Sequence, residues 1–269
     1  MSVGAWAAGL ARAARSAAAR GVTGSAMRGG RAGAGPAAGA GGASRGRFSL
    51  AGGGGGGGRV DPDAAALWGL LGANGAVFGL WQCANPHWMQ KNFTVSELSL
   101  QPARLHTLLT SAFSHRDFSH LATNLLGLYF FGGEVARWMG GRHLLALYAT
   151  AGLAGSAAHL AYWRLRDPPS RTKPAWPFRS SLHAGAPPAL GASGAVNGVV
   201  LLSSLMHPGR IIHLNFLLPV PAALLAGLFV LRDFSGLYHG DPGIGHAAHL
   251  GGAAAGAAWF ALVRAGFRF

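Results

Sequence analysis

Residues 118–138 read FSHLATNLLGLYFFGGEVARW, with formal charge only at Glu134 and Arg137 near the end. A helix rises ~1.5 Å per residue, so about 20 residues cross the ~30 Å hydrocarbon core of a bilayer. No water is present there to satisfy backbone N–H and C=O groups, so a run of this length is predicted to be a membrane-spanning helix. Its polar residues are then the informative ones. Ser119, His120 and Asn124 stand in the first half, and His120 and Asn124 are four apart, on one helix face. Strongly polar side chains inside a membrane are costly and mark either function or hydrogen bonds between helices. The pair alone is compatible with both.

Five further apolar runs of similar kind follow the same logic, at 64–83, 143–163, 190–206, 212–231 and 246–263. The expectation is an all-α, polytopic membrane protein, a six-transmembrane-helix bundle occupying residues 61–269. Lipid tails are as apolar as Leu, so helices associate there through close packing of small residues. Gly194 and Gly198 are spaced four apart in the fourth run, and Gly252 and Gly256 in the sixth. These two helices are expected to meet backbone to backbone. The fifth run contains Pro219 and Pro221, which predict a bent helix. Such a bend is either a static kink or a hinge that lets that helix move aside for a substrate. The first loop, about 84–117, is long and mixes apolar with polar residues, which points to structure lying at the membrane interface.

Composition agrees with a membrane. Of the 269 residues, 50% are hydrophobic and 11% charged, against roughly a quarter charged in soluble domains. The 44 glycines follow no three-residue period, and Cys83 is the only cysteine, so collagen and disulfide scaffolds are excluded. The net charge is +14, and Arg12, Arg15, Arg20, Arg28, Arg31, Arg45, Arg47 and Arg59 all precede the first acid, Asp61. These arginines sit in a Gly/Ala tract with a single aromatic, Phe48, among them, which disfavours nucleic acid as a partner. A basic, acid-free N-terminus with a short amphipathic start has the composition of an organelle transit peptide. The glycines of 52–58 read as a flexible linker. Residues 1–60 are therefore assigned to a transit peptide and Gly-rich linker, apart from the core.

Two other clusters of polar residues accompany His120 and Asn124. The fourth run begins Gly191-Ala192-Ser193-Gly194 and continues to Asn197; the sixth begins His246-Ala247-Ala248-His249. A serine beside an imidazole becomes a nucleophile, because the ring takes the hydroxyl proton during attack. A neighbouring His/Asn pair supplies donors for the oxyanion that then develops. A zinc protease of the H-E-x-x-H type is excluded, since no His-Glu pair occurs. A metal site on His246 and His249 lacks a carboxylate or cysteine within those clusters. Asp167, Asp233 and Asp241 fall in breaks between runs, which disfavours an aspartyl mechanism. No metal and no cofactor are expected.

These residues resemble the rhomboid family of intramembrane serine proteases. The match consists of His120-x-x-x-Asn124, Gly191-Ala192-Ser193-Gly194 and Ala248-His249-Leu250-Gly251-Gly252, with the stretch 106–133 (HTLLTSAFSHRDFSHLATNLLGLYFFGG) similar to the family's first-loop end and second span. GASGAVNG at 191–198, HPGR at 207–210 and PVPA at 219–222 look most like mitochondrial rhomboids of plants and algae. The resemblance implies a serine endopeptidase with a Ser193–His249 dyad and no acid to orient the histidine. It further implies an oxyanion hole of His120, Asn124 and the backbone N–H of Ser193. Implied partners are transmembrane protein substrates and the lipid bilayer, and the implied place is the mitochondrial inner membrane, with a plastid membrane as the alternative. A catalytically inactive rhomboid-like protein that binds membrane clients is the alternative function; such relatives generally lack the Ser or the His. Two positions depart from bacterial members: His106-Thr107 stands where Trp-Arg is common, and Asn197 stands where a Tyr packs on the histidine.

Overall fold

The computed structural model describes residues 61–166, 186–214, 218–240 and 245–267. The transit peptide and linker assigned to 1–60 lie outside these residues, as do Asp167, Asp241 and most of the third loop. Helix α1 (Pro62–Cys83) opens on Asp61, whose carboxylate accepts the Asp63 N–H at 3.0 Å, with Pro62 in the first turn where its missing N–H costs nothing. Helix α2 (Pro86–Phe93) repeats the device with Asn85 and Pro86. Three short 3₁₀ turns (Glu97–Leu100, Pro102–Arg104 and Ser111–Phe113) and the single-turn α3 (Thr107–Thr110) complete the first loop. Helix α4 (Phe118–Gly127) is capped by Asp117 and runs through a π-helical turn, Leu128–Gly132, into α5 (Gly133–Met139). Then come α6 (Gly141–Arg166), α7 (Ser193–Met206), the hairpin β1 (Ile211–Leu214) and β2 (Leu218–Pro221), α8 (Ala222–His239) and α9 (His246–Arg264).

The helices fall where the six apolar runs predicted them, with one correction. The fifth helix starts ten residues later than expected, and the chain before it is a β-hairpin, so the described residues are not wholly helical. Pro219 pairs with His213 and Pro221 with Ile211 in this two-stranded ribbon. Proline lacks an N–H and forces the preceding residue out of helical geometry, so the chain stays extended through both prolines and coils only at Ala222. The predicted proline bend within that helix is therefore absent, and with it the gate built on the bend. Among the described residues, α1 and α6 have the length and hydropathy to cross a membrane, while α7 is a shorter apolar helix. At 14 residues α7 extends only about 21 Å.

The glycine spacing does what it predicted. A Cβ on Gly252 would overlap the Gly194 carbonyl oxygen, one on Gly256 would overlap that of Gly198, and one on Gly198 would lie 2.8 Å from the Gly252 oxygen. Helix α6 joins this packing: a Cβ on Gly155 would lie 2.8 Å from the Ala248 carbonyl oxygen. Backbones this close allow many weak dispersion contacts where no hydrophobic drive separates protein from lipid. The remaining core is large and apolar, with Leu128, Leu144, Leu147, Tyr148, Val199 and Leu202 fully buried. One polar pair inside this core is matched: the Tyr148 hydroxyl donates to Ala112 O at 2.8 Å and meets Asn74, whose amide also donates to Leu70 O.

The first loop is folded rather than loose. The Val95 N–H and C=O pair with those of Ala189 at 2.8 Å each, and the Ser156 hydroxyl on α6 donates to Leu108 O at 2.7 Å. Arg164 at the end of α6 pairs with Glu97 at 2.9 Å. The loop thus braces the strand-like segment that leads into α7.

Candidate active site

Ser193 is the first residue of α7 and lines a cavity of about 1690 Å³. The turn into it depends on Gly191, whose φ of 142° is rarely adopted by residues with side chains. A Cβ at Gly191 would lie 2.8 Å from His120 Cε1 and 3.5 Å from Ser193 Oγ. Only glycine lets the His120 ring edge stand beside the serine hydroxyl. Gly191 N–H donates to Ser111 O at 3.0 Å, and the His159 ring nitrogen Nε2 meets Pro187 O at 2.9 Å. The approach to Ser193 is therefore held by the first loop on one side and α6 on the other.

His249, one turn into α9, places Nε2 2.8 Å from Ser193 Oγ. The two residues are 56 apart in the chain, and the glycine contact between α7 and α9 is what brings them together. Asn124 is buried on α4 and donates one amide N–H to His120 O at 2.9 Å. Its amide has a second N–H. His120, Asn124, Ser193 and His249 all line the one cavity. The N–H groups of the first turn of α7 have no intrahelical partner, and the positive end of the helix dipole faces the same place. All four residues singled out in the sequence therefore line one cavity, with His249 in contact with the Ser193 hydroxyl. Asn197 lines the same cavity, while Thr107 is buried in the first loop, donating to Arg104 O at 2.7 Å.

One group was missed. Asp233 does not lie in a break; it is buried inside α8, and its Oδ1 is 3.0 Å from His249 Nδ1 and 2.7 Å from His246 Nδ1. The resemblance implied no acid beside the histidine, but one stands within hydrogen-bond distance of it, and a carboxylate from another helix joins the His246/His249 cluster, which holds none of its own. The overlooked signal was Pro221: read as a helix start, it extends α8 through Asp233. Among the described residues, Asp233, His246 and His249 form the one group whose ligand atoms lie close enough, within 4.8 Å, to hold a metal ion. Here both Nδ1 atoms lie at hydrogen-bond distance from one carboxylate oxygen and His249 turns Nε2 to a serine, an arrangement suited to proton transfer.

Just outside the helical bundle, two further groups shape the site. Asp117 caps α4 by accepting the His120 N–H at 2.8 Å and the Ser119 hydroxyl at 2.7 Å, and these bonds hold its carboxyl below the usual range. His115 stacks edge-on against His120 with ring centroids 5.1 Å apart. Burial, reinforced by the neighbouring His120, pushes His115 down to about 4, so it is neutral near pH 7.

The family model for the Rhomboid domain matches residues 102–266, which include every residue of this site. The chain belongs to the rhomboid family. This rhomboid is 40% identical over 220 residues to rhomboid-like protein 12, a mitochondrial protein of Arabidopsis thaliana, covering 77% of this chain and 61% of that one. It is 36% identical over 168 residues to the chloroplastic rhomboid-like protein 16 of the same plant, covering 61% and 51%. It is 34% identical over 202 residues to the mitochondrial rhomboid protein 1 of Saccharomyces cerevisiae, covering 71% and 51%. The chain thus spans between half and two thirds of the length of these relatives. The family is membrane-integral, and similarity to its mitochondrial members places this rhomboid in a mitochondrial membrane.

Proposed function

We propose that this rhomboid is an intramembrane serine endopeptidase that cleaves transmembrane protein substrates within or next to the mitochondrial inner membrane. The six long helical segments are read as membrane spans. Large apolar side chains such as Trp68, Leu145, Leu153 and Phe234 face outward, where a soluble fold would place polar ones. The shortness of α7 lets its first turn, with Ser193, sit below the membrane surface in a cavity that water can enter.

The reading rests above all on the 2.8 Å separation of Ser193 Oγ and His249 Nε2 at the floor of that cavity. As Oγ attacks the scissile carbonyl carbon, its proton passes to Nε2. The carbonyl oxygen becomes an oxyanion facing the Ser193 N–H, His120 and Asn124. The same proton then moves from Nε2 to the leaving amine, and water repeats the sequence to release the acyl group. The cavity lies between α4 and α8, with Leu126, Phe130 and Phe229 in its apolar lining, so a substrate helix is taken to enter between these two elements.

The test is expression of wild type and Ser193→Ala in the native organelle, followed by N-terminal peptide profiling and fluorophosphonate labelling. New N-termini next to transmembrane segments, and the label, are expected with wild type and lost with Ser193→Ala. Equal profiles and no label on wild type would overturn the proposal in favour of an inactive, client-binding rhomboid.

A further inference from the structure

A neutral imidazole carries one N–H, and His249 accepts a proton at Nε2 only if that hydrogen is on Nδ1. Something must therefore select the tautomer. A carboxylate is acceptor-only, and Asp233 Oδ1 stands 3.0 Å from His249 Nδ1. We propose that Asp233 is the positioning residue of this protease: it fixes the Nδ1–H tautomer of His249, aims Nε2 at Ser193 and stabilises the imidazolium formed during attack. This rests on the endopeptidase reading.

The surroundings are built for the task. His246 lies three residues before His249, on the same face of α9, and its Nδ1 is 2.7 Å from the same carboxylate oxygen. Asp233 is thus held from one helix turn by two imidazoles. Gly236, less than one turn beyond Asp233 on α8, makes room for this: any Cβ there would overlap the His246 ring. Asp233 and His246 are each only 4% exposed. A buried carboxylate without partners is costly enough to be protonated or expelled, and two N–H donors offset that cost. In the chemical step the Ser193 proton goes to His249 Nε2, the Nδ1–H stays on nitrogen, and Asp233 remains unprotonated while its charge faces the new imidazolium. Because α8 carries Asp233 and also walls the cavity, the base is correctly aimed only while α8 lies against α9.

The experiment uses the full chain reconstituted in liposomes with a transmembrane substrate cleaved by wild type. Asp233→Asn keeps the shape and removes the charge. We expect kcat to fall roughly 10–100-fold with KM unchanged, and the acidic limb of kcat/KM to move down by about one pH unit, because the imidazolium loses its counter-charge. Besides Asp233 and His249, the ionisable groups lining the same cavity are Arg116, Asp117, His120, Arg137, His159, Tyr162, Arg210, His213, Arg232 and His246, and Asp233→Asn alters none of them. Acting through Asp233, His246→Gln should lower kcat roughly 3–10-fold and add little in the Asp233→Asn background, since residues of one chain of contacts are not additive. Unchanged kcat and an unmoved acidic limb in folded Asp233→Asn would overturn the proposal. A third measurement needs no variant of Asp233: ¹⁵N-histidine spectra of wild type, with His249 assigned by its perturbation in Ser193→Ala, should show neutral His249 protonated at Nδ1. Protonation at Nε2 instead would sink the proposal even if every Asp233 variant misfolds. Absence of cleavage and of serine labelling in wild type would refute the endopeptidase reading while leaving the tautomer result interpretable.

Discussion

Helix α7 has a buried carboxylate and a serine at each end, and the two ends treat them differently. At the N-terminus, Asp233 faces two imidazoles, and the nearer serine, Ser193, meets His249 rather than the carboxylate. Toward the C-terminus, Glu134 from α5 accepts directly from the hydroxyl of Ser203 and pairs with Arg210, which also lies over the Phe131 ring. A guanidinium never gives up its proton, so the Glu134–Arg210 end is a fixed brace. Imidazole exchanges a proton near neutral pH, so the Asp233 end can do work. Access differs too: Ser193 opens on the cavity, whereas Ser203 is fully buried. A serine in a membrane helix is therefore not a nucleophile by virtue of its position; it needs a base that can take its proton and a space for the acyl group.

Substitutions at the two ends separate these roles. The largest expected contrast is between Ser193→Ala, which abolishes cleavage while the protein stays folded, and Ser203→Ala, which leaves cleavage within about twofold of wild type. A substrate-cleavage assay in liposomes checks both. Asn124→Ala, which removes the proposed oxyanion donor at the Ser193 end, should lower kcat by roughly 10²–10³-fold without loss of folded protein. An unchanged rate would reassign Asn124 to helix structure alone. At the braced end, Glu134→Gln should cost roughly 2–3 kcal/mol of stability, below the range for fully buried pairs because the Arg210 side chain is 30% exposed. Thermal unfolding in detergent measures this, and activity per folded molecule should be retained.

The smallest expected effect is on pH dependence. His115, beside His120, is neutral in the fold down to about pH 4, whereas in the unfolded chain it takes a proton near its ordinary value of 6.5. Between those values the unfolded state binds more protons, so stability falls as pH drops from about 6.5 to about 4. Melting temperatures across that window should decline, and His115→Asn should flatten part of the decline. An identical slope in the variant would mean that acid acts elsewhere.

Much of the architecture was legible in the residues because membranes impose local rules. Apolar length located the helices to within a few residues for α1, α6 and α9, and the Gly194/Gly198 and Gly252/Gly256 spacings identified the closest helix contact. Ser193, His249, His120 and Asn124 were recognisable from motifs. The fifth apolar run stops at the charged pair Arg232–Asp233 and begins before two prolines that precede the helix, so Asp233 falls in a break that the structure does not have. The Glu134–Ser203–Arg210 brace gave no local sign, since its members belong to different elements.

The chain by itself determined where helices form, which faces carry small residues and which reactive side chains are available, because hydropathy, periodicity and proline act over one or two turns. Only the tertiary structure decided that Asp233 addresses His249, that His246 supports it, and that Ser193 rather than Ser203 meets an imidazole. Those pairings depend on how each helix is rotated and shifted against its neighbours, and that register is set by backbone-to-backbone packing between segments far apart in sequence.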